Sequence, residues 1–291
     1  ALALVAASGP AGPPRAAPPA EPHRGSVMLM SGVDSASGTG AMLEIDPHTL
    51  GYRCAQTFSY SYAGPGPGQP RGRALCPVTT GAPYRPEDTL RPTAELIAFL
   101  EEQLAGVPPP VLLTTHSQGV WIVWEAAARG RLPHVETLVL VGPFPENPVP
   151  YPPQGESGRS RLAADVVRLL TALPRPGGTS VFRPDSPLGR EWLAHPTAVE
   201  RTLARPLPPR LRALSIPSVF DLPLMPHGPR IPSTANACPV PVIHPDLPYA
   251  AEFRRLVDSF ADGREPPAAC PAWRSLVGPL FRPFAVPSAR E

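Results

Sequence analysis

Short apolar runs alternate with helix-spaced apolar positions along most of the chain. Val27-Met28-Leu29-Met30 reads as a buried strand that runs into a loop at Ser31-Gly32-Val33-Asp34. A short helix is expected between Gly38 and Leu50. Gln56 to Tyr62 alternates aromatic and polar residues and predicts a strand, followed by a Gly/Pro loop from Gly64 to Arg73. From Pro92 to Leu104, the residues Leu96, Ile97, Leu100 and Leu104 share one helical face, and Gly106 is the stop signal. Val111 to Thr114 predicts the next strand, Gln118 to Arg129 the next helix, and Gly130 its cap. Leu138–Val141, Leu214–Phe220 and Val240–Ile243 predict further strands, the last two ending at Asp221 and His244. Tyr249 to Phe260 predicts a final helix, with Phe253, Leu256, Val257 and Phe260 on one face.

Strands alternating with helices imply an α/β fold with a mostly parallel central sheet and helices on both faces. The Pro-rich region 143–209, with one helical stretch from Arg161 to Leu170, reads as a cap inserted after a strand. Residues 1–25 read as a Pro/Ala-rich linker, 26–262 as the folded domain and 263–291 as a Pro-rich tail. A chain of 291 residues suffices for one large α/β domain. The opening ALALVAAS has the character of the end of a signal peptide or membrane anchor, and membrane proximity through such a segment is one expectation. No other run reaches the ~18 apolar residues of a membrane span.

Composition narrows the picture. Hydrophobic residues make up 42%, which suits a globular chain. All 26 basic residues are Arg, but the net charge of +2 is too small to imply nucleic acid or a strongly acidic partner. The four cysteines form no CxxC pair, which argues against zinc or redox chemistry. Widely spaced and even in number, they suit two disulfides outside the cytosol. Four buried free thiols would account for the same count in a cytosolic enzyme. Of the three connectivities, Cys54–Cys76 with Cys238–Cys270 is favoured because each bond links neighbouring segments.

Ser117, Asp221 and His244 all lie just past predicted strand ends, where ligands bind in such sheets. A serine hydroxyl needs an adjacent base and a stabilised oxyanion to act as a nucleophile. Ser117 sits between a strand and a helix, flanked two residues away by Thr115 and Gly119, as a nucleophile elbow requires. Small residues flank many serines, so the five residues alone are a weak signal. The N–H of Gln118, at the start of the following helix, is one oxyanion donor; the N–H of Val33, beyond Gly32, is the second candidate. An ordinary tight turn explains the Gly32 loop equally well by itself. His244 can reach back over the sheet to Ser117, and Asp221 can accept its far N–H. Asp246 is too close in sequence to His244, and Asp185 reads as a helix cap. His116 shapes the pocket, His23 and His48 lie in linker or loop, and Trp121 and Trp124 read as core. The order Ser, Asp, His is the order of one known triad arrangement.

At these residues the chain resembles the α/β-hydrolase superfamily, and within it bacterial secreted lipases and esterases. HSQG resembles their elbow, and some fungal lipases also carry Thr where Thr115 stands. SVFDLPLMP resembles the acid-bearing strand and loop, VIHPDLPYAAEF the histidine loop, and FSYSYAG with YRPEDT the early strand and loop. As a pattern the likeness runs from about Val27 to Phe260. It implies hydrolysis of carboxylic esters, lipid esters foremost, through an acyl-enzyme on Ser117, with His244 as base, Asp221 orienting it, and no metal or organic cofactor. Two departures stand out: Thr115 replaces the usual Gly, and Ser31-Gly32 replaces the usual His-Gly. A thioesterase or acyltransferase would use the same triad, and a binding module would keep the fold without catalysis. The intact Ser117, Asp221 and His244 argue against the last. A phosphate-binding reading of SGVDSASGTG lacks the Walker lysine and a full GxGxxG.

Overall fold

A computed structural model describes residues 21–143, 186–193, 198–220, 231–267 and 269–274. Its centre is a six-stranded parallel sheet built from β1 (Ser26–Met30), β2 (Thr57–Ser59), β3 (Val111–His116), β4 (Val135–Val141), β5 (Arg212–Ile216) and β7 (Ala235–Asn236). The strand order is β2-β1-β3-β4-β5-β7. Every residue of β1 and β3 is buried, because helices cover both faces of the sheet.

The crossovers explain the layers. α1 (Thr93–Ala105) and α2 (Gln118–Ala128) both lie on connections that move the same way along the sheet, so right-handed crossovers put them on one face. They pack on each other, and α4 (Ala198–Leu203) packs on α2. The connection from β1 to β2 runs the opposite way, so its 3-10 turn Pro47–Leu50 lies on the other face, where α5 (Ala251–Ala261) packs against it. α1 buries Leu96, Ile97, Leu100 and Leu104 as its periodicity predicts. α2 ends at a left-handed Gly130, with Gly130 N–H bonded to Ala127 O and Arg131 N–H to Ala126 O, both at 2.9 Å.

Several elements differ from the sequence expectation. The strand expected over Gln56–Tyr62 pairs only at Thr57–Ser59; Tyr60 and Tyr62 leave the sheet to pack edge-on at 4.9 Å, with Tyr84 beside Tyr62. The strand expected over Leu214–Phe220 breaks at Pro217, which has no N–H to give the ladder. Its second half, β6 (Ser218–Phe220), pairs in parallel with β8 (Val240–Ile243) as a small separate sheet. Val240 N–H to Pro217 O at 2.8 Å joins the two ladders. His23, read as linker, is anchored: its ring nitrogens lie 2.9 Å from Asp258 and 3.0 Å from Asp262.

Of the cap region, α3 (Pro187–Leu193) and α4 are described; the expected helix at Arg161–Leu170 lies outside the described residues. Asp185 also lies outside them, and Ser186 caps α3, its Oγ accepting from Gly189 N–H at 3.0 Å. Among the described residues, several contacts tie α3 and the chain just after α4 to α1 and α2. Glu191 accepts the N–H of Thr93 at 3.0 Å, Trp192 meets Trp121 edge-on at 6.0 Å, and Arg205 pairs with the buried Glu125 at 2.8 Å. Both disulfides form as Cys54–Cys76 and Cys238–Cys270, with Cα atoms 5.3 and 5.4 Å apart. No helix among the described residues is long and apolar enough to cross a membrane.

Candidate active site

The sheet order reverses direction between β1 and β3, and the crevice beyond their carboxyl ends is where doubly wound sheets bind ligands. β1 delivers Ser31-Gly32-Val33 to this crevice and β3 delivers His116-Ser117. Ser117 occupies φ 57°, ψ −122°, a region few L residues reach and one that costs about 1–3 kcal/mol. Its N–H extends the β3–β4 ladder by bonding Val141 O at 2.9 Å, while its C=O already accepts the first helical bond from Val120 N–H at 3.0 Å. Strand and helix therefore meet at a single residue, and Ser117 remains only half-buried at that corner.

Such a corner requires close packing around it. A methyl group on Gly119 would lie 2.0 Å from Thr115 Oγ1, so Thr115 fills the space that a larger residue at 119 would need. Thr115 is fully buried, and its Oγ1 has no hydrogen-bond partner among the described residues. A methyl on Gly32 would lie 2.7 Å from Ser117 Cβ and 3.3 Å from its Oγ, which puts the backbone of Gly32-Val33 directly against the serine. Val33 itself is half-buried. Gln118 is buried, its side-chain Nε2 donating to Thr89 O. At the first helical position its backbone N–H has no acceptor within the helix.

His244 follows β8 as the first residue of a 3-10 turn, His244–Tyr249, and is buried. Its ring lies 4.6 Å from that of His116, and His116 Nε2 donates to the His244 carbonyl at 3.1 Å. The His116 imidazole is pushed down to about 3, first by burial and then by the neighbouring His244, against the opposing effect of the bond to the His244 carbonyl. His116 is thus a neutral Nε2–H donor that braces the histidine loop against the elbow. Gly142 completes the contact: at φ 60° beyond β4, a methyl there would lie 2.6 Å from His244 Cε1 and 2.8 Å from Nδ1. Sequence reasoning missed Gly142, although a glycine immediately after a buried strand was the available signal.

The structure brings Gly32, Val33, Ser117, Gln118, His116 and His244 to one end of the sheet. Asp221 lies outside the described residues, one position beyond β6, the strand paired with β8. Asp246 is exposed on the turn that begins at His244. No group of three or more His, Cys, Asp or Glu side chains among the described residues is placed to hold a metal ion.

No protein-family model matches the chain, and no curated protein does. Solved structures do. A monoacylglycerol lipase from Paleococcus ferrophilus is similar at 16% identity and TM-score 0.46, over 83% of this chain and 95% of the lipase. The pyrethroid hydrolase PytH is similar at 18% identity in two structures, with TM-scores 0.41 and 0.43, over 82% of this chain and 96% of PytH.

Proposed function

We propose that the chain is a serine hydrolase that cleaves carboxylic esters through an acyl-enzyme. The observation that carries this reading is the strained backbone of Ser117, held at the switch point of the sheet between a buried strand and a helix N-terminus. Ser117 Oγ attacks the ester carbonyl carbon while His244 takes its proton. The carbonyl π pair moves onto oxygen, and that oxyanion is received by the N–H groups of Val33 and Gln118. His244 then returns the proton to the leaving alcohol, and water repeats the sequence on the acyl-enzyme with the same base. Asp221 orients His244 in this scheme. Carboxylic esters, lipid esters among them, are the proposed substrates, on the resemblance of the elbow and histidine-loop sequences to those of lipases. The two disulfides support a location outside the cytosol.

Turnover of p-nitrophenyl esters by purified variants tests the assignments. Ser117→Ala should lower it on the order of 10⁴-fold or more. Asp221→Asn should lower it roughly 10⁴-fold by leaving His244 in the wrong tautomer, whereas Asp246→Asn should leave most activity in place. An active Ser117→Ala enzyme removes the nucleophile; a silent Asp221→Asn with a dead Asp246→Asn moves the acid.

A further inference from the structure

We infer that Ser35 and Tyr84 are positioning residues for the oxyanion site, acting on the single peptide unit that joins Gly32 to Val33. The inference rests on the proposed reading in which the Val33 N–H receives the oxyanion. Ser35 Oγ donates to the carbonyl of Gly32 at 2.8 Å. That carbonyl and the Val33 N–H are the two ends of one planar peptide, so fixing the oxygen fixes the direction in which the N–H points. Tyr84 OH donates in turn to Ser35 Oγ at 3.1 Å, which leaves the Ser35 proton directed at Gly32. The chain therefore runs from Tyr84 OH to Ser35 Oγ to Gly32 O and emerges as the N–H of Val33. Negative charge arriving at that N–H polarises every bond behind it in the same sense.

The surroundings hold this chain in place. Ser35 and Tyr84 are each 4% exposed. The Ser35 N–H also approaches Gly32 O at 3.4 Å, and Asp34 takes a left-handed φ of 67° to close the turn. The Tyr84 backbone is clamped to Ser37, with Tyr84 N–H on Ser37 Oγ at 2.7 Å and Ser37 N–H on Tyr84 O at 3.1 Å. Before the turn, Tyr62 OH donates to Ser31 O, and Ser31 Oγ accepts from Met42 N–H at 3.1 Å. A methyl group on Gly40 would lie 2.7 Å from Ser31 Oγ and 2.8 Å from Ser35 Cβ, so only a glycine lets this backbone pack against both serines. Burial raises the Tyr84 phenol well above its ordinary range, so it remains a neutral donor. Where the resembled lipases have His-Gly after the first strand, this chain has Ser-Gly with a buried hydroxyl network behind it.

A merely structural hydroxyl chain would change stability and leave the chemical step alone; a positioning chain changes kcat with little change in KM. The test uses the full chain with p-nitrophenyl butyrate, and an alkyl trifluoromethyl ketone as a tetrahedral-adduct inhibitor. Losing an oxyanion donor outright costs about 10²–10³-fold in kcat, so a donor that is loosened should cost about tenfold in Ser35→Ala and about threefold in Tyr84→Phe. KM should stay within about twofold, and ketone affinity should fall in parallel with kcat. The double variant should be no worse than Ser35→Ala alone, because both act through one bond. Tyr84→Phe keeps its ring and Ser35→Cys its volume, so these two carry the test if Ser35→Ala does not fold. Variants whose kcat and ketone affinity match wild type, or losses that multiply in the double variant, overturn the inference while wild-type turnover leaves the ester-hydrolase reading standing. A wild-type protein that neither cleaves esters nor binds the ketone overturns both.

Discussion

Two loops meet at the carboxyl ends of β1 and β3, and they are held by different physics. The loop after β1, Ser31 to Ser35, is fixed by directional bonds: hydroxyl to carbonyl, phenol to hydroxyl, phenol to carbonyl. The turn after β3 is fixed by volume. Thr115 occupies the space beside Gly119, Gly32 presses on Ser117, and the serine backbone is forced into a strained well. Apart from Gly32, which faces Ser117, the first loop should tolerate changes of size better than loss of a donor, and the second the reverse. This division of labour suits the roles assigned to them, since an N–H donor needs a direction and a nucleophile needs a fixed point.

The largest expected effect breaks the steric side. Gly119→Ala places a methyl against a fully buried, β-branched neighbour, and overpacking of this kind destabilises by about 3 kcal/mol. Thr115→Ala in the same chain should restore most of that loss, which a urea titration of the single and double variants would measure. If the double variant is no more stable than Gly119→Ala, Thr115 is not what occupies the space.

Gly32→Ala comes next. Its methyl would meet Ser117 Cβ rather than a flexible side-chain end, so stability should fall by about 1–3 kcal/mol and ester turnover should fall with it. Unchanged thermal unfolding together with unchanged turnover would show that the two loops can separate without consequence.

An effect seen only on acidification sharpens the comparison at the histidine that braces the elbow. His116 titrates near 3 when folded and near 6.5 when unfolded. Above pH 6.5 neither state holds the proton and the group contributes no pH dependence. Between 6.5 and about 3 the unfolded chain binds a proton that the folded protein does not, so stability falls as pH falls, by about 1.4 kcal/mol per pH unit. His116→Asn should flatten that slope, and denaturant titrations at pH 7, 5.5 and 4.5 would detect it. Equal slopes in both proteins would mean that His116 is not held neutral by burial.

Much of this fold was legible because local signals agree with it. The change from a β run to helical spacing around Ser117, the apolar face of α1 and the Gly130 cap all lie within short windows of sequence. What escaped depends on distance. His23 looked like linker because its partners, Asp258 and Asp262, lie at the far end of the chain. Ser35 and Tyr84 are 49 residues apart, and although each lies in a stretch singled out by the sequence, nothing in the sequence pairs them. Gly142 matters only because His244 and His116 converge on it. Pro217 was the exception, a visible breaker inside an expected strand whose missing N–H splits the ladder. At the candidate site, Ser117 and His244 were legible as residue types at strand ends, whereas the bracing by His116 needed the ring geometry.

The central claim is that Ser117 is an activated nucleophile. Its most direct measurement is covalent labelling with a fluorophosphonate, followed by peptide mass mapping of the adduct. The account predicts stoichiometric phosphonylation of the Ser117 hydroxyl, and its loss in Ser117→Ala with the fold retained. A wild-type chain that stays unlabelled, or a label that persists on Ser117→Ala, would contradict it.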